Sequence, residues 1–185
     1  MIRTMIVAAF ALTLTAGAAA AQSAQPYAGM QARPLKALSA EQIADLKAGR
    51  GMGLALAAEL NGYPGPSHVL ELAREIELTD AQKARVQALF TAMQAETIPL
   101  GEQLIARESE LDRLFATHAI TPAGLAATMQ TIGAAQARLR TAHLKYHLTT
   151  GALLTPAQVA RYAELRGYAG AAPAAHDPAK HHHGK

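Results

Sequence analysis

One short pattern recurs three times in this chain and constrains its fold more than any other feature. Leu38-Ser39-Ala40-Glu41-Gln42, Leu78-Thr79-Asp80-Ala81-Gln82 and Leu154-Thr155-Pro156-Ala157-Gln158 share the form Leu-Ser/Thr-x-x-Gln. The pattern has the chemistry of a helix start. The hydroxyl accepts a hydrogen bond from the amide three positions on, the glutamine side chain reaches back to the N–H of the cap residue, and the leucine staples the entry. Each copy therefore predicts a helix, beginning at Ala40, Asp80 and Pro156, the last helped by proline at its first position. Thr121-Pro122 predicts a further start without the glutamine.

The intervals between these starts also read as helices, so the expected fold class is all-α. The first helix is expected over Ala40–Leu60, ending at Asn61-Gly62, and it holds Gly49, Gly51 and Gly53. Each glycine costs ~1 kcal/mol relative to alanine, so this helix is expected to fray in its middle. With no strand before it, the glycine string is no nucleotide fingerprint. Tyr63-Pro64-Gly65-Pro66 is a turn, after which Ser67 is expected to cap a short helix reaching Glu77. From Asp80, apolar residues at Val86, Phe90, Met93, Leu100, Leu104, Leu111 and Leu114 alternate by three and four. Pro99 is expected to kink or break that helix near Thr97–Leu100, because it removes an amide and clashes with the preceding turn. A second long helix, Pro122–Leu148, places Leu125, Met129, Ile132, Leu139 and Tyr146 on one stripe, and its 27 residues span roughly 40 Å. The expectation is a kinked antiparallel helical hairpin with flanking short helices. So thin a layer buries too little apolar surface alone, which predicts a dimer.

The ends of the chain read differently. Arg3, the apolar stretch Met5–Leu14 and the run Ala18-Ala19-Ala20-Ala21 form a secretory signal peptide over 1–21, with cleavage after Ala20 or Ala21. Its apolar stretch is too short to prefer a membrane span, so none is expected after cleavage. Residues 22–37 read as a flexible arm, 38–168 as the helical domain and 169–185 as a disordered histidine-rich tail. Loss of Arg3 with the leader lowers the formal charge from +3 to +2, and no long basic run exists, which argues against nucleic acid as a partner. Zero cysteine excludes a disulfide framework, a thiolate metal site and a cysteine nucleophile. No nucleophile elbow or triad pattern appears, so no enzymatic activity is expected. An exported chain, expected in the periplasm, has no access to ATP.

On its Leu-Thr-x-x-Gln motifs, Leu78, Thr79, Gln82 and Leu154, Thr155, Gln158, the chain resembles the Spy/CpxP family of periplasmic proteins over about Ser67–Tyr168. The resemblance implies a cradle-shaped antiparallel dimer of kinked helices. It also implies one of three roles: an ATP-independent chaperone that holds unfolded or misfolded periplasmic proteins in envelope stress, a regulator that docks on a sensor kinase, or a heavy-metal sensor or buffer. Arg85, Arg107, Arg113, Arg138, Arg140 and Lys145 are either client contacts on such a cradle or cations that solvate outer faces.

The histidines bear on the metal alternative. His143 and His147 stand four apart and share one helix face, a spacing that can hold one ion, but no glutamate follows His143 as a metalloprotease would need. His143 also continues the apolar stripe, so a buried, hydrogen-bonded core histidine is the competing reading. His68, with Glu71 and Glu75 nearby, stands roughly where metal-sensing members of the resembled family carry an upstream histidine pair, although Leu72 occupies the second position. His176, His181, His182 and His183 lie in the tail, where imidazoles suit Zn²⁺, Cu²⁺ or Ni²⁺. His118 is expected to meet the terminal carbonyls of a helix end.

Overall fold

The structure, a computed structural model, describes residues 25–169. The expected leader and the tail histidines His176, His181, His182 and His183 lie outside the described residues. Contacts divide the chain into two units, 1–32 and 33–185. Of the first, the described part is a turn followed by a 3-10 helix at Met30–Ala32.

The described part of the second unit is all-helical: α1 (Ala40–Lys47), α2 (Leu56–Glu59), α3 (Pro66–Glu71), α4 (Asp80–Ala116), α5 (Pro122–Gly151) and α6 (Pro156–Leu165). All three Leu-Ser/Thr-x-x-Gln copies form complete capping boxes. Ser39, Thr79 and Thr155 each accept from the amide of the glutamine three residues on, and each glutamine side chain returns to the cap backbone. Thr121 caps α5 through the Gly124 amide at 3.1 Å. Four helix starts therefore follow from hydroxyl chemistry visible in the sequence.

Several expectations change. The helix expected over Ala40–Leu60 is divided in two. Gly49 adopts φ +66°, with the Arg50 amide bonded back to the Asp45 carbonyl at 2.9 Å, and Met52 and Gly53 also take positive φ. A left-handed residue at this position ends a helix rather than fraying it. Ser67 is not a cap: Gly65 is, because Pro66 has no amide to satisfy and takes the first helical position. The short helix also stops at Glu71, and Glu77, at φ +55°, closes the turn that leads into Thr79. Of the two outcomes expected at Pro99, the break does not occur: α4 runs through the proline as one helix of 37 residues, about 55 Å in all.

The long helices α4 and α5 make the most extensive pairing; α1 lies on α4, α3 on both, and α2 on α5. Glycine sets one of these approaches. A Cβ at Gly101 of α4 would sit 2.6 Å from the Leu46 carbonyl oxygen of α1, so the two backbones meet with no side chain between them. Beside this contact Leu46, Leu104, Ile132, Ala135 and Leu139 form one buried cluster. Val69, Ile76, Val86 and Tyr162 form a second, which holds α6 and the turn after α3 against α4. Full burial of each large side chain contributes about 1.5–3 kcal/mol. The stripe expected on α5 is buried only from Ile132 onward; Leu125 and Met129 are exposed. Leu35, within the stretch expected to be a flexible arm, is buried. Among the described residues no helix is long and apolar enough to cross a membrane.

Candidate functional site

The two Leu-Thr-x-x-Gln motifs meet. Gln82 Nε2 donates to Gln158 Oε1 at 2.8 Å, and Gln158 Nε2 donates to Gln82 Oε1 at 3.0 Å. Each amide nitrogen also donates to the carbonyl just ahead of the other motif, Gln82 to Leu153 at 2.9 Å and Gln158 to Glu77 at 3.2 Å. Each glutamine oxygen meanwhile accepts from its own cap amide. The motif is thus a helix start and a reciprocal clasp at once, and residues 76 apart in sequence are joined by paired amides. The leucines add apolar contact, since Leu78 and Leu154 both pack on the cluster around Tyr162.

Next to this clasp lies a buried polar cluster that sequence reasoning missed. Glu59 is 7% exposed. Its Oε1 accepts from the Tyr162 hydroxyl and from the Tyr168 hydroxyl at 3.3 Å, and its Oε2 accepts from the Gly65 amide at 3.1 Å. Arg166 and His147 stand 3.9 and 3.6 Å from its two oxygens. Burial, then the hydrogen bond to Glu59, pushes the Tyr162 phenol far above its ordinary value, so it donates and does not ionise. The signal in the sequence was a lone carboxylate in the apolar run Leu54–Leu60.

The body histidines fall into different surroundings. His147 has its Nδ1 2.8 Å from the Tyr63 carbonyl oxygen, so Nδ1–H donates there, and Nε2 faces Gly65, where a Cβ would stand 2.8 Å from it. His68 Nδ1 bonds Glu71 Oε2 at 2.8 Å. His143 is 2% exposed, in line with the core reading of it, but its Nε2 has no hydrogen-bond partner among the described residues. Burial, and then the nearby His147, lower its pKa. The backbone at Gly51 covers that ring, a Cβ there lying 3.5 Å from Nδ1. No three histidine or carboxylate groups among the described residues are arranged to hold a metal ion. His118 meets the end of α4 by backbone rather than by imidazole. It takes φ +53°, its amide donates to Phe115 O at 3.1 Å, and Ala119 donates to Leu114 O at 3.0 Å.

A groove of about 520 Å³ runs between α4 and α5, with Pro99, Leu100, Ala137 and Ala142 as apolar lining and Glu96, Arg138 and Lys145 as charged groups. Lys145 Nζ lies 2.5 Å from Glu96 Oε2, which also accepts from the Tyr146 hydroxyl at 3.0 Å. The Lys145 hydrogen bond holds the Glu96 carboxyl below its ordinary value, and Glu96 raises the Lys145 ammonium in return. Of the six cations singled out in the sequence, Arg113 pairs with Glu110 and Lys145 with Glu96. Arg85, Arg107, Arg138 and Arg140 are exposed. Phe115, Leu125, Met129 and Leu148 of the same two helices are also exposed, Leu148 at 56%. The long helices therefore expose both apolar and cationic side chains. No protein-family model, curated protein or solved structure matches the chain.

Proposed function

We propose that the protein is an exported, ATP-independent holdase of the Spy/CpxP type, working as a homodimer of kinked helical hairpins on unfolded envelope proteins. The observation that carries this reading is the groove between α4 and α5, apolar along its lining and charged at Glu96, Arg138 and Lys145. An unfolding client offers apolar segments interleaved with charges, and a surface of the same mixed character binds such segments modestly and releases them without ATP. Phe115, Leu125, Met129 and Leu148 are further apolar side chains exposed on the same two helices. The clasp between the paired motifs supports the family reading, because it gives both copies a shared reason to be present.

The test is light scattering from a thermally or chemically unfolding client. Suppression near stoichiometric ratio is expected, and unchanged scattering at a several-fold molar excess sinks the holdase reading. Calorimetry with Zn²⁺, Cu²⁺ and Ni²⁺ on the full chain and on a chain ending at Tyr168 separates it from the alternative, a metal sensor or buffer. Tight binding lost on truncation, with no effect on client aggregation, would turn the assignment to the tail histidines.

A further inference from the structure

A second cavity, of about 340 Å³, is bounded by Lys36 and Ala37 ahead of α1 and by Glu108, Leu111, Asp112 and Phe115 of α4. Glu108 lines it and is 9% exposed. Among the described residues no hydrogen bond or ion pair compensates that carboxylate, and burial alone raises its pKa. One turn further on, Asp112 does have a partner, Lys36 Nζ at 3.4 Å. The cavity therefore holds two carboxylates and one ammonium, and a single negative charge is left over at its least exposed carboxylate.

A carboxylate so largely withdrawn from water with no ion-pair partner is costly to the fold, and its oxygens still keep some contact with solvent, from which a cation can reach them. The arrangement is suited to receiving a cation. A divalent ion needs several oxygen ligands, and no group of three acidic or imidazole side chains converges here. The walls favour an organic cation instead. Leu111 packs on the main core cluster, and Phe115, half exposed, offers its ring beside the opening. An alkyl stem against those two side chains, ending in an ammonium at Glu108, uses both the apolar and the charged part of the cavity. The exposed ring of Phe115 also provides a surface for residues flanking the inserted side chain, which a free amine lacks.

We infer that this cavity accepts a lysine side chain of a partner polypeptide, its stem against Leu111 and Phe115 and its ammonium on Glu108. The inference does not rest on the holdase reading, which concerns the groove between α4 and α5. Client scattering and peptide binding can fail separately.

The experiment is an amide-resolved NMR titration of the full chain with acetyl-Gly-Lys-Gly-amide and with its norleucine counterpart, which keeps the stem and lacks the ammonium. Saturable shifts at Lys36 and over Glu108–Phe115 are expected with the lysine peptide. The norleucine peptide should bind about tenfold more weakly or worse, the loss of one charge-assisted hydrogen bond. Glu108→Gln should weaken the lysine peptide by a similar factor. The comparison of the two peptides on the unaltered chain needs no variant, so it holds even if that substitution disturbs folding. Equal affinity for both peptides, unchanged affinity in Glu108→Gln, or equal shifts with butylamine or Ca²⁺ alone would overturn the proposal.

Discussion

At the scale of single residues, the polar groups inside the apolar regions carry the most information. His143 is enclosed with its Nε2 unpartnered, and desolvation favours its neutral form. A histidine whose folded pKa lies below its unfolded value binds fewer protons in the fold than in the open chain. Its burial is therefore tolerated fully above the unfolded pKa of about 6.5, and stability is lost as pH falls from there toward the folded pKa. His143→Leu is expected to flatten the dependence of thermal stability on pH below about 6.5; an unchanged slope would place the acid sensitivity elsewhere. The i, i+4 spacing of His143 and His147 was legible in the sequence, and burial of His143 was one of the two readings it offered. Their divergent surroundings were not legible, because the Tyr63 carbonyl and the Gly51 backbone arrive from segments about 80 and 90 residues earlier in the chain.

Among the elements, starts and stops differ in how local their causes are. Each start is written in a hydroxyl and a glutamine three residues apart, and all three repeats form as read. Three stops have a left-handed residue just past the cap, and not all of these are glycine: Gly49 and Gly167 follow α1 and α6, whereas His118 takes the same conformation after α4 without that chemistry. The close approach of α1 and α4 is likewise invisible in periodicity, because Gly101 sits in an ordinary helical pattern. Gly101→Ala raises intrinsic helix propensity yet places a methyl against the Leu46 carbonyl. The steric term should win, lowering stability by about 1–3 kcal/mol in urea denaturation; a gain in stability would show that α1 is not seated there.

For the whole molecule, the contact between the two motifs ties together segments distant in sequence. Gln82→Ala and Gln158→Ala each remove a capping side chain as well as half of the clasp, so neither alone measures the tie. The double-mutant cycle does, and a coupling of about 1 kcal/mol is expected, whereas additive losses would mean that the two glutamines act only within their own helices. The Glu59 cluster lies beside this tie and joins α2 to α6 and the residues after it through Tyr162, Tyr168 and Arg166. Both networks hold together parts of the chain that helix propensity alone would leave independent.

The sequence by itself determined the all-helical class, four helix starts and which side chains of α5 share one stripe, because capping and amphipathic period act over three to seven residues. Tertiary structure alone decided that the two glutamines face each other, that Glu59 and Glu108 are withdrawn from solvent, and that Leu125 and Met129 remain exposed on α5. Periodicity tells which side chains share a face, but what covers that face depends on contacts between residues far apart in the chain. The repeated motif shows the division most clearly: its hydroxyl and backbone amide act within one turn, while the nitrogen of the same glutamine finds its partner more than seventy residues away.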